Sequence, residues 1–448
     1  MNKPTFIVSC PIDTLSGYGS RSRDVVKALI ELDKYDVKII PQRWGETPQG
    51  FIKSNPEWDF LTSHIISPQL TQQPDIWAQI TVPNEFQKVG KYNIGITAGI
   101  ESTIAPGEWI EGCNRMDLIL GSSKHTIDVL KNSKFEMKDK NTNQSAGNLE
   151  WVGDSEVLFE GADLDVYKPL KEPLTNDSLH KSIDSIPEKF AYLFVGHWMQ
   201  GQMNEDRKNV GLLIKAFYET FKNTKNAPAL ILKTTSVGPS YKDRNSILKK
   251  IKAIKSSSPA KTLPNIYLLH GEFSDGEMNE IYNHSKVKAM VCLTKGEGFG
   301  RPMLEFSLVN KPIITTNWSG HIDYLNPEFT TLLPGTMTNI HPSAANNMLM
   351  KEAQWFSVDH GNVGHYLKDV FKNYKGYSEK AKRQGYQSRT NFSFDAMKAL
   401  LDKILDNKIP EFPKQVQLTL PKLKKIGGEN KPLELPKLKL PKLKKVEQ

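Results

Sequence analysis

Two glutamates eight positions apart, Glu297 and Glu305, stand around a glycine-rich turn and a proline in the stretch TKGEGFGRPMLEF, residues 294–306. Gly296, Gly298 and Gly300 remove three side chains, so the backbone there can approach a ligand closely and enter positive φ where needed. Pro302 suits the first turn of a helix, and PMLEFSLV continues with apolar residues at helical spacing. The preceding VKAMVCL, 287–293, is a short apolar run that reads as a buried strand ending at Thr294. Strand, glycine loop and helix start make an anion cradle, with free N–H groups and the positive end of the helix dipole facing its guest, commonly a phosphate. A carboxylate accepts two hydroxyl hydrogen bonds well. Glu297 in the loop and Glu305 about one turn into the helix therefore fit a ligand with phosphate and sugar hydroxyls. On these residues alone, a glycine turn with two surface glutamates is an equal alternative.

The elements that must hold this stretch read as two alternating β/α halves. PTFIVSC is an apolar first strand, and PIDTLSGYGSRSRDVVKALIEL is a glycine loop opening an amphipathic helix with Val25, Val26, Leu29 and Ile30 inward. DVKII, YNIGITAG and MDLILGSS follow as strands that end at polar or glycine-rich turns. Residues 132–150 are polar and aperiodic and read as an exposed insertion. VLFEGADLDVYKP, 157–169, leads into a polar linker at 171–188. The alternation then restarts with FAYLFVGHW, RKNVGLLIKAFYETF, PALILKT, IYLLHG, DGEMNEIYNHS, the quoted stretch and KPIITTNWSG. The expectation is α/β, with a first doubly wound, Rossmann-like domain over 1–170 and a second over 189–410, facing each other across a cleft lined by the carboxyl ends of their strands. The last helix is expected to pack back on the first domain.

Composition narrows the partners. At 448 residues, 38% hydrophobic and 24% charged, the chain is long enough for two globular cores, and no stretch approaches the roughly 18 apolar residues of a membrane span. MNKPTFIVSC lacks the basic and long apolar regions of a secretion signal, so a cytoplasmic location is expected. Cys10, Cys113 and Cys292 are odd in number and far apart, which argues for core thiols over a disulfide framework or zinc site. The histidines show no close pair with ligand spacing, and His284 reads as a helix surface or packing residue. Net charge is +9, of which ten lysines against three glutamates place +7 in residues 414–448. LPKLK occurs there three times. Prolines every few residues exclude a continuous helix, so 411–448 reads as an extended basic tail that either solubilises or binds.

With these motifs in order, the chain resembles the retaining glycosyltransferases of the GT-B fold, the large family that includes sucrose synthases and many bacterial mannosyl- and glucosyltransferases. Its Glu-x7-Glu signature is matched by Glu297 and Glu305, and its hinge segment resembles GADLDVYKP. Its phosphate-binding Arg and Lys are matched within VGHWMQGQMNEDRKNV by Lys208, with His197 where arginine is usual, which leaves His197, Arg207 or neither as the second cation. The resemblance spans roughly residues 5–400 in five motifs.

The resemblance implies that Lys208 neutralises the departing diphosphate and that Gly298, Phe299 and Gly300 offer backbone N–H groups to phosphate or sugar oxygens. It further implies that Glu305 holds ribose hydroxyls and that Glu297 contacts the transferred sugar or the cationic anomeric carbon. Gly17 and Gly19 would bring the first loop close to the diphosphate, although a plain strand-to-helix turn explains them equally. IESTIAPGEW resembles the acceptor-side segment, which makes Glu101 an acceptor candidate, with a plain cleft-loop carboxylate favoured slightly. The DLD of 163–165 falls inside the hinge motif and reads as structural, so no metal or other cofactor is expected. Trp44, Trp58, Trp77 and Trp109 are stacking candidates, or core. The implied activity is transfer from a nucleotide-sugar donor to a hydroxyl acceptor. A basic tail fits a polyanion such as modified viral-type DNA, and the rival readings are an envelope or capsule polysaccharide transferase touching anionic lipid, and a non-catalytic polymer-binding protein.

Overall fold

The computed structural model describes residues 3–139, 141, 142, 144–172 and 177–412. The first apolar run is β1 (Thr5–Cys10), and the SGYGS loop opens α1 (Gly17–Leu32), where the Ser16 side chain caps the helix by accepting from the Gly19 N–H. There follow β2 (Asp36–Pro41), a single turn α2 (Phe51–Ser54), β3 (Ile76–Ile80), β4 (Tyr92–Thr97), α3 (Gly107–Cys113), β5 (Leu118–Gly121) and α4 (Lys124–Asn132). Next come β6 (Phe135–Lys138), β7 (Ser145–Leu149) and β8 (Asp154–Val157). Six of these strands form a parallel sheet in the order β2-β1-β3-β4-β5-β8. The insertion at 132–150 is a β6–β7 antiparallel hairpin rather than irregular chain. Its strands are largely exposed, so no buried face imposed an alternating pattern; Phe135 and Leu149 pack near α3, and Ser133 and Glu150 accept from the Ala105 N–H and the Asn114 amide.

The stretch expected as a polar linker carries α5 (Asp177–Asp184), whose Leu179 and Ile183, with Ile186 beyond it, join the core of the second half. The chain continues through β9 (Ala191–Val195), α6 (Val210–Phe221), β10 (Ala229–Lys233), α7 (Tyr241–Ser256), β11 (Ile266–Leu269), α8 (Asp275–Asn283) and β12 (Val287–Cys292). It then forms α9 (Arg301–Leu308), β13 (Ile313–Thr316), β14 (Thr331–Leu333) and an antiparallel pair, β15 (Gly335–Asn339) with β16 (Gln354–Val358). The second parallel sheet runs β11-β10-β9-β12-β13-β14. In it the order reverses between β9 and β12, so the carboxyl ends of those two strands open the crevice where ligands of such sheets bind.

Three helices close the chain: α10 (His360–Lys372), α11 (Tyr374–Asn391) and α12 (Phe394–Lys408). α12 lies against α1 and the first sheet. Lys398 pairs with Glu31, Lys34 with Asp402 at 2.6 Å, and Lys408 with Asp154 at 2.8 Å. The three cysteines are buried and free, as are the indoles of Trp77 and Trp109 in the core of the first half. Among the described residues no helix is long and apolar enough to cross a membrane. The basic tail lies outside the described residues from 413 onward.

Candidate active site

The expected cradle forms where β12 ends. Gly300, at φ +88°, turns the chain into α9, with Pro302 in the first turn. Ser319 accepts from the Glu297 N–H at 2.9 Å, and the Glu297 carbonyl accepts from the Gly320 N–H at 2.9 Å, which fixes the glutamate's backbone. Among the described residues nothing accepts from the N–H groups of Gly298, Phe299 and Gly300. Three buried donors are thus left at the positive end of α9. The Phe299 ring is turned into the core against Tyr324.

Two cations converge on the buried Glu297. Lys208 Nζ lies 2.5 Å from Oε1, and Arg207 Nη1 lies 3.5 Å from Oε2. Burial pushes the Glu297 carboxyl up, but Lys208 and then Arg207 outweigh it and hold the group down to about 2. Arg207 also donates to the Gly296 carbonyl at 2.8 Å and meets Glu101 at 3.1 Å. Burial works against its charge, while Glu101 and Glu297 support it and raise its pKa overall. The second cation at Glu297 is therefore Arg207. His197 turns instead to Thr235, with Nδ1 at 3.0 Å from Oγ1, and burial, then Lys208 and Lys233, lower its pKa and disfavour its charged form.

Glu305 sits one helical turn away in a different setting. It accepts from Arg301 Nε at 2.9 Å and from the Tyr282 hydroxyl at 3.3 Å. Burial raises its carboxyl to about 7 despite Arg301. Arg301 reaches from α9 to Asp24 on α1, tying the halves together beside the site. The motif contains Arg301, but its partner Asp24 lies far away in sequence. Lys233, at the end of β10, was also not among the expected site residues. It is half-buried beside Glu272 and Glu305, with burial lowering its pKa and the two carboxylates opposing that.

The glycines play a different part from the one expected of them. A Cβ on Gly298 would stand 2.4 Å from the Ala98 carbonyl oxygen, and one on Gly296 would stand 2.4 Å from that of Glu101. What these positions admit is the loop after β4, not open space for a ligand. A Cβ on Gly19 would meet the Thr14 carbonyl at 2.2 Å, so Gly19 serves the packing of its own loop, whereas Gly17 has open space around it. Tyr18 between them stacks on Trp44 with centroids 3.9 Å apart, and its hydroxyl lies 3.1 Å from Thr97 Oγ1. The DLD segment is a turn in which Asp163 accepts from the Asp165 N–H at 2.8 Å.

Sequence spacing gave no histidine pair, yet the fold brings one together. His180 Nε2 and His284 Nε2 each lie 3.3 Å from Asp184, close enough to share a cation. The Lys286 N–H, however, donates to His284 Nδ1 at 3.2 Å, which leaves the neutral ring's proton on Nε2, the atom that faces Asp184. Lys286 Nζ binds the Asp184 carbonyl at 2.6 Å, an ammonium group that opposes a metal cation, and Lys311 Nζ, whose pKa burial lowers to about 7, binds the His284 carbonyl at 2.9 Å. The cluster links α5 to the end of α8.

No protein-family model and no curated protein matches the chain. Solved structures do match it. A glycosyltransferase from Rickettsia africae superposes with a TM-score of 0.59, covering 91% of this chain and 99% of its own at 14% identity. Sucrose-phosphate synthase from Thermosynechococcus elongatus gives 0.58 over 91% and 99% at 10% identity. HepE from Anabaena, solved with UDP and glucose, gives 0.57 over 90% and 100% at 10% identity. The fold is GT-B. At such identities the likeness is one of architecture. In this GT-B chain the loops after β4, β9 and β12 meet at the cleft, and the Glu101–Arg207–Glu297–Lys208 chain of charges crosses from one half to the other.

Proposed function

We propose that the protein is a retaining glycosyltransferase that moves a sugar from a nucleoside diphosphate donor to a hydroxyl acceptor. The observation that carries this reading is the convergence of Arg207 and Lys208 beside three unbonded N–H groups at the start of α9. Fixed cations and aligned donors in a water-poor site stabilise a diphosphate most when its charge grows, which is when the sugar–phosphate bond breaks. In the reaction the anomeric C–O(phosphate) bond breaks and the acceptor hydroxyl oxygen bonds the same carbon on the same face. The hydroxyl proton passes to the departing phosphate oxygen. Glu305 accepts from ribose hydroxyls, and Glu297, ionised by its two cations, lies against the positive anomeric carbon. Two protein cations and the helix end supply the positive charge, so turnover is expected to survive chelation by EDTA. The neighbouring proteins support the reading, since HepE has been solved with UDP-glucose and WaaG is a glycosyltransferase involved in lipopolysaccharide biosynthesis.

The acceptor we propose is polyanionic, a hydroxylated base in DNA, with the lysine-rich tail adding affinity from the cytoplasmic side. An envelope polysaccharide acceptor, with the tail on anionic lipid, is the rival. Binding of a polymer without catalysis would have no use for a buried Glu297 held between two cations. The test is mass spectrometry of co-purified nucleotide, a donor hydrolysis screen, and turnover of Lys208→Ala with anomeric assignment of the product by NMR. Loss of Lys208 should slow turnover by several orders of magnitude, on the order of 3 to 5 kcal/mol, with the fold intact. Near-normal turnover of that variant, or an inverted product, would refute the assignment.

A further inference from the structure

Outside the tail, the body of the chain is almost neutral, at +2 over residues 1–413. Two helices depart from that balance: α11, with Lys375, Lys380, Lys382, Arg383 and Arg389 against Glu379, a net +4 that includes the paired Lys382, and α7, which departs further. α7, YKDRNSILKKIKAIKS, carries Lys242, Arg244, Lys249, Lys250, Lys252 and Lys255 against the single acid Asp243, a net +5 that leaves the rest of the body at −3. Asp243 does not offset these charges at the surface. It is buried, accepting from the Ser236 and Val237 N–H groups at 3.0 and 3.1 Å and lying 2.9 Å from His270. All six cations are exposed, and among the described residues none of them takes part in an ion pair. Elsewhere Lys398 meets Glu31 and Asp395, Lys408 meets Asp154 and Glu156, and Lys382 meets Glu379. Lys222, Lys225, Lys372 and Lys403 are exposed and, among the described residues, in no ion pair, so α7 differs in how many such cations it gathers on one helix.

The geometry points to α7 as a docking surface for the phosphate backbone of a nucleic acid. Ile247 and Ile254 are buried, and Ile251 is half-buried with them, so the apolar stripe of the helix is spent on the core and the cations fan over the remaining face. Lys242, Lys249, Lys252 and Lys255 follow one another along about 20 Å of helix. Duplex DNA presents roughly one charge per 1.7 Å of its axis, so a run of this length faces on the order of ten phosphates. An anionic membrane is the weaker match, because interfacial helices need an apolar face turned outward. Tyr241 (84% exposed) and Leu248 (40%) are isolated rather than a stripe. α7 follows the loop that starts at Thr235, the partner of His197, and its Lys250 lies over Trp198 in the loop after β9. This deepens the polyanionic-acceptor reading and rests on it for the partner's role, but its measurement is binding alone.

The experiment compares the full chain with its Lys249→Gln/Lys252→Gln/Lys255→Gln variant. Lys250 is left in place because its ammonium lies 5.0 Å over the Trp198 ring. Glutamine is a comparable helix former and no ion pair is lost, so the melting temperature should be unchanged. Fluorescence anisotropy with two unrelated 24-base-pair duplexes, from about 50 to 200 mM salt, should show the log–log salt slope shallower by about 2 to 3 in the variant. Affinity at the lowest salt should fall at least about tenfold and equally for both duplexes, since phosphate contacts carry no sequence information. Vesicles of phosphatidylglycerol and phosphatidylcholine form the second arm. No binding of DNA by the full chain, an unchanged slope, or a loss confined to vesicles would each overturn the inference. Donor hydrolysis without DNA reports on the sugar-transfer reading separately: its absence, with the slope difference present, would sink that reading and leave this one standing.

Discussion

Glu297 holds both cations that a diphosphate would need, so carboxylate and ligand compete for one pair of charges. Glu297→Gln should therefore bind the nucleoside diphosphate of the proposed donor as tightly as the parent or more tightly while turnover falls, and Glu305→Ala should weaken that binding first. Calorimetry with the free nucleoside diphosphate beside steady-state rates separates them, and the reverse pattern would exchange the two roles. Glu305 carries a pH signature as well. Burial raises its carboxyl from 4.5 to about 7. A carboxyl with a raised folded value holds its proton more tightly in the folded chain. That stabilisation is complete below the unfolded value and is lost as pH rises through about 7. Relative to Glu305→Gln, the parent should lose stability between about pH 5 and 8, by on the order of 1 to 3 kcal/mol. Parallel melting curves for the two proteins over that range would contradict the assignment. Glu297, Glu305 and Lys208 could be named from short local motifs, whereas the same motif left Arg207 open beside His197. The Asp24–Arg301 pair was not, since pairing across the halves is set by the fold and leaves no spacing to read.

Elements were legible where one face is buried. β1, β4, β5, β9, β10 and β12 are near-continuous apolar runs, as strands covered on both faces must be. β3 went unread because IWAQI is five residues long between polar stretches, and β6–β7 because an exposed hairpin has no core face. In α5 the spacing of Leu179, Ile183 and Ile186 was helical, but the polar residues around them read as linker. The glycine loops show the same limit: glycine declares a close approach without naming what approaches. Gly298→Ala would press a Cβ onto the Ala98 carbonyl, backbone against backbone, with no flexible side chain to yield. The β4 and β12 loops must then part, and we expect about 1 to 3 kcal/mol of destabilisation together with lower turnover. Gly17→Ala is the control. It has open space in the first turn of α1, so it should be neutral or slightly stabilising. Equal melting temperatures for the two variants would show that the loops part without strain and that close approach is not why Gly298 lacks a side chain.

At the scale of the whole molecule, net positive charge is largest in α7 and residues 414–448, and the remainder sums to −3 even with α11 at +4 inside it. Each phosphate neutralised by a lysine releases condensed counterions, so any contribution of the tail to nucleic-acid binding must fall steeply with salt. The tail's sequence, ten lysines against three glutamates, favours a charge-driven role over insertion into lipid. Truncation after Pro413 should therefore leave donor hydrolysis unchanged, raise the apparent KM for a duplex acceptor and flatten its salt dependence. If tail and α7 engage separate phosphates, their effects on the salt slope should add, because distant sites without shared partners are close to independent. The measurement is a four-way comparison of the full chain, the truncated chain, the α7 triple variant and the combination, each over the same salt series on modified duplex DNA and on anionic vesicles. A combined slope change smaller than the sum would mean that the two basic segments compete for one stretch of backbone. Tail-dependent binding to vesicles with none to DNA would replace the DNA acceptor by an envelope one, because the sugar transfer we propose at Glu297, Arg207 and Lys208 is indifferent to which polyanion delivers the hydroxyl.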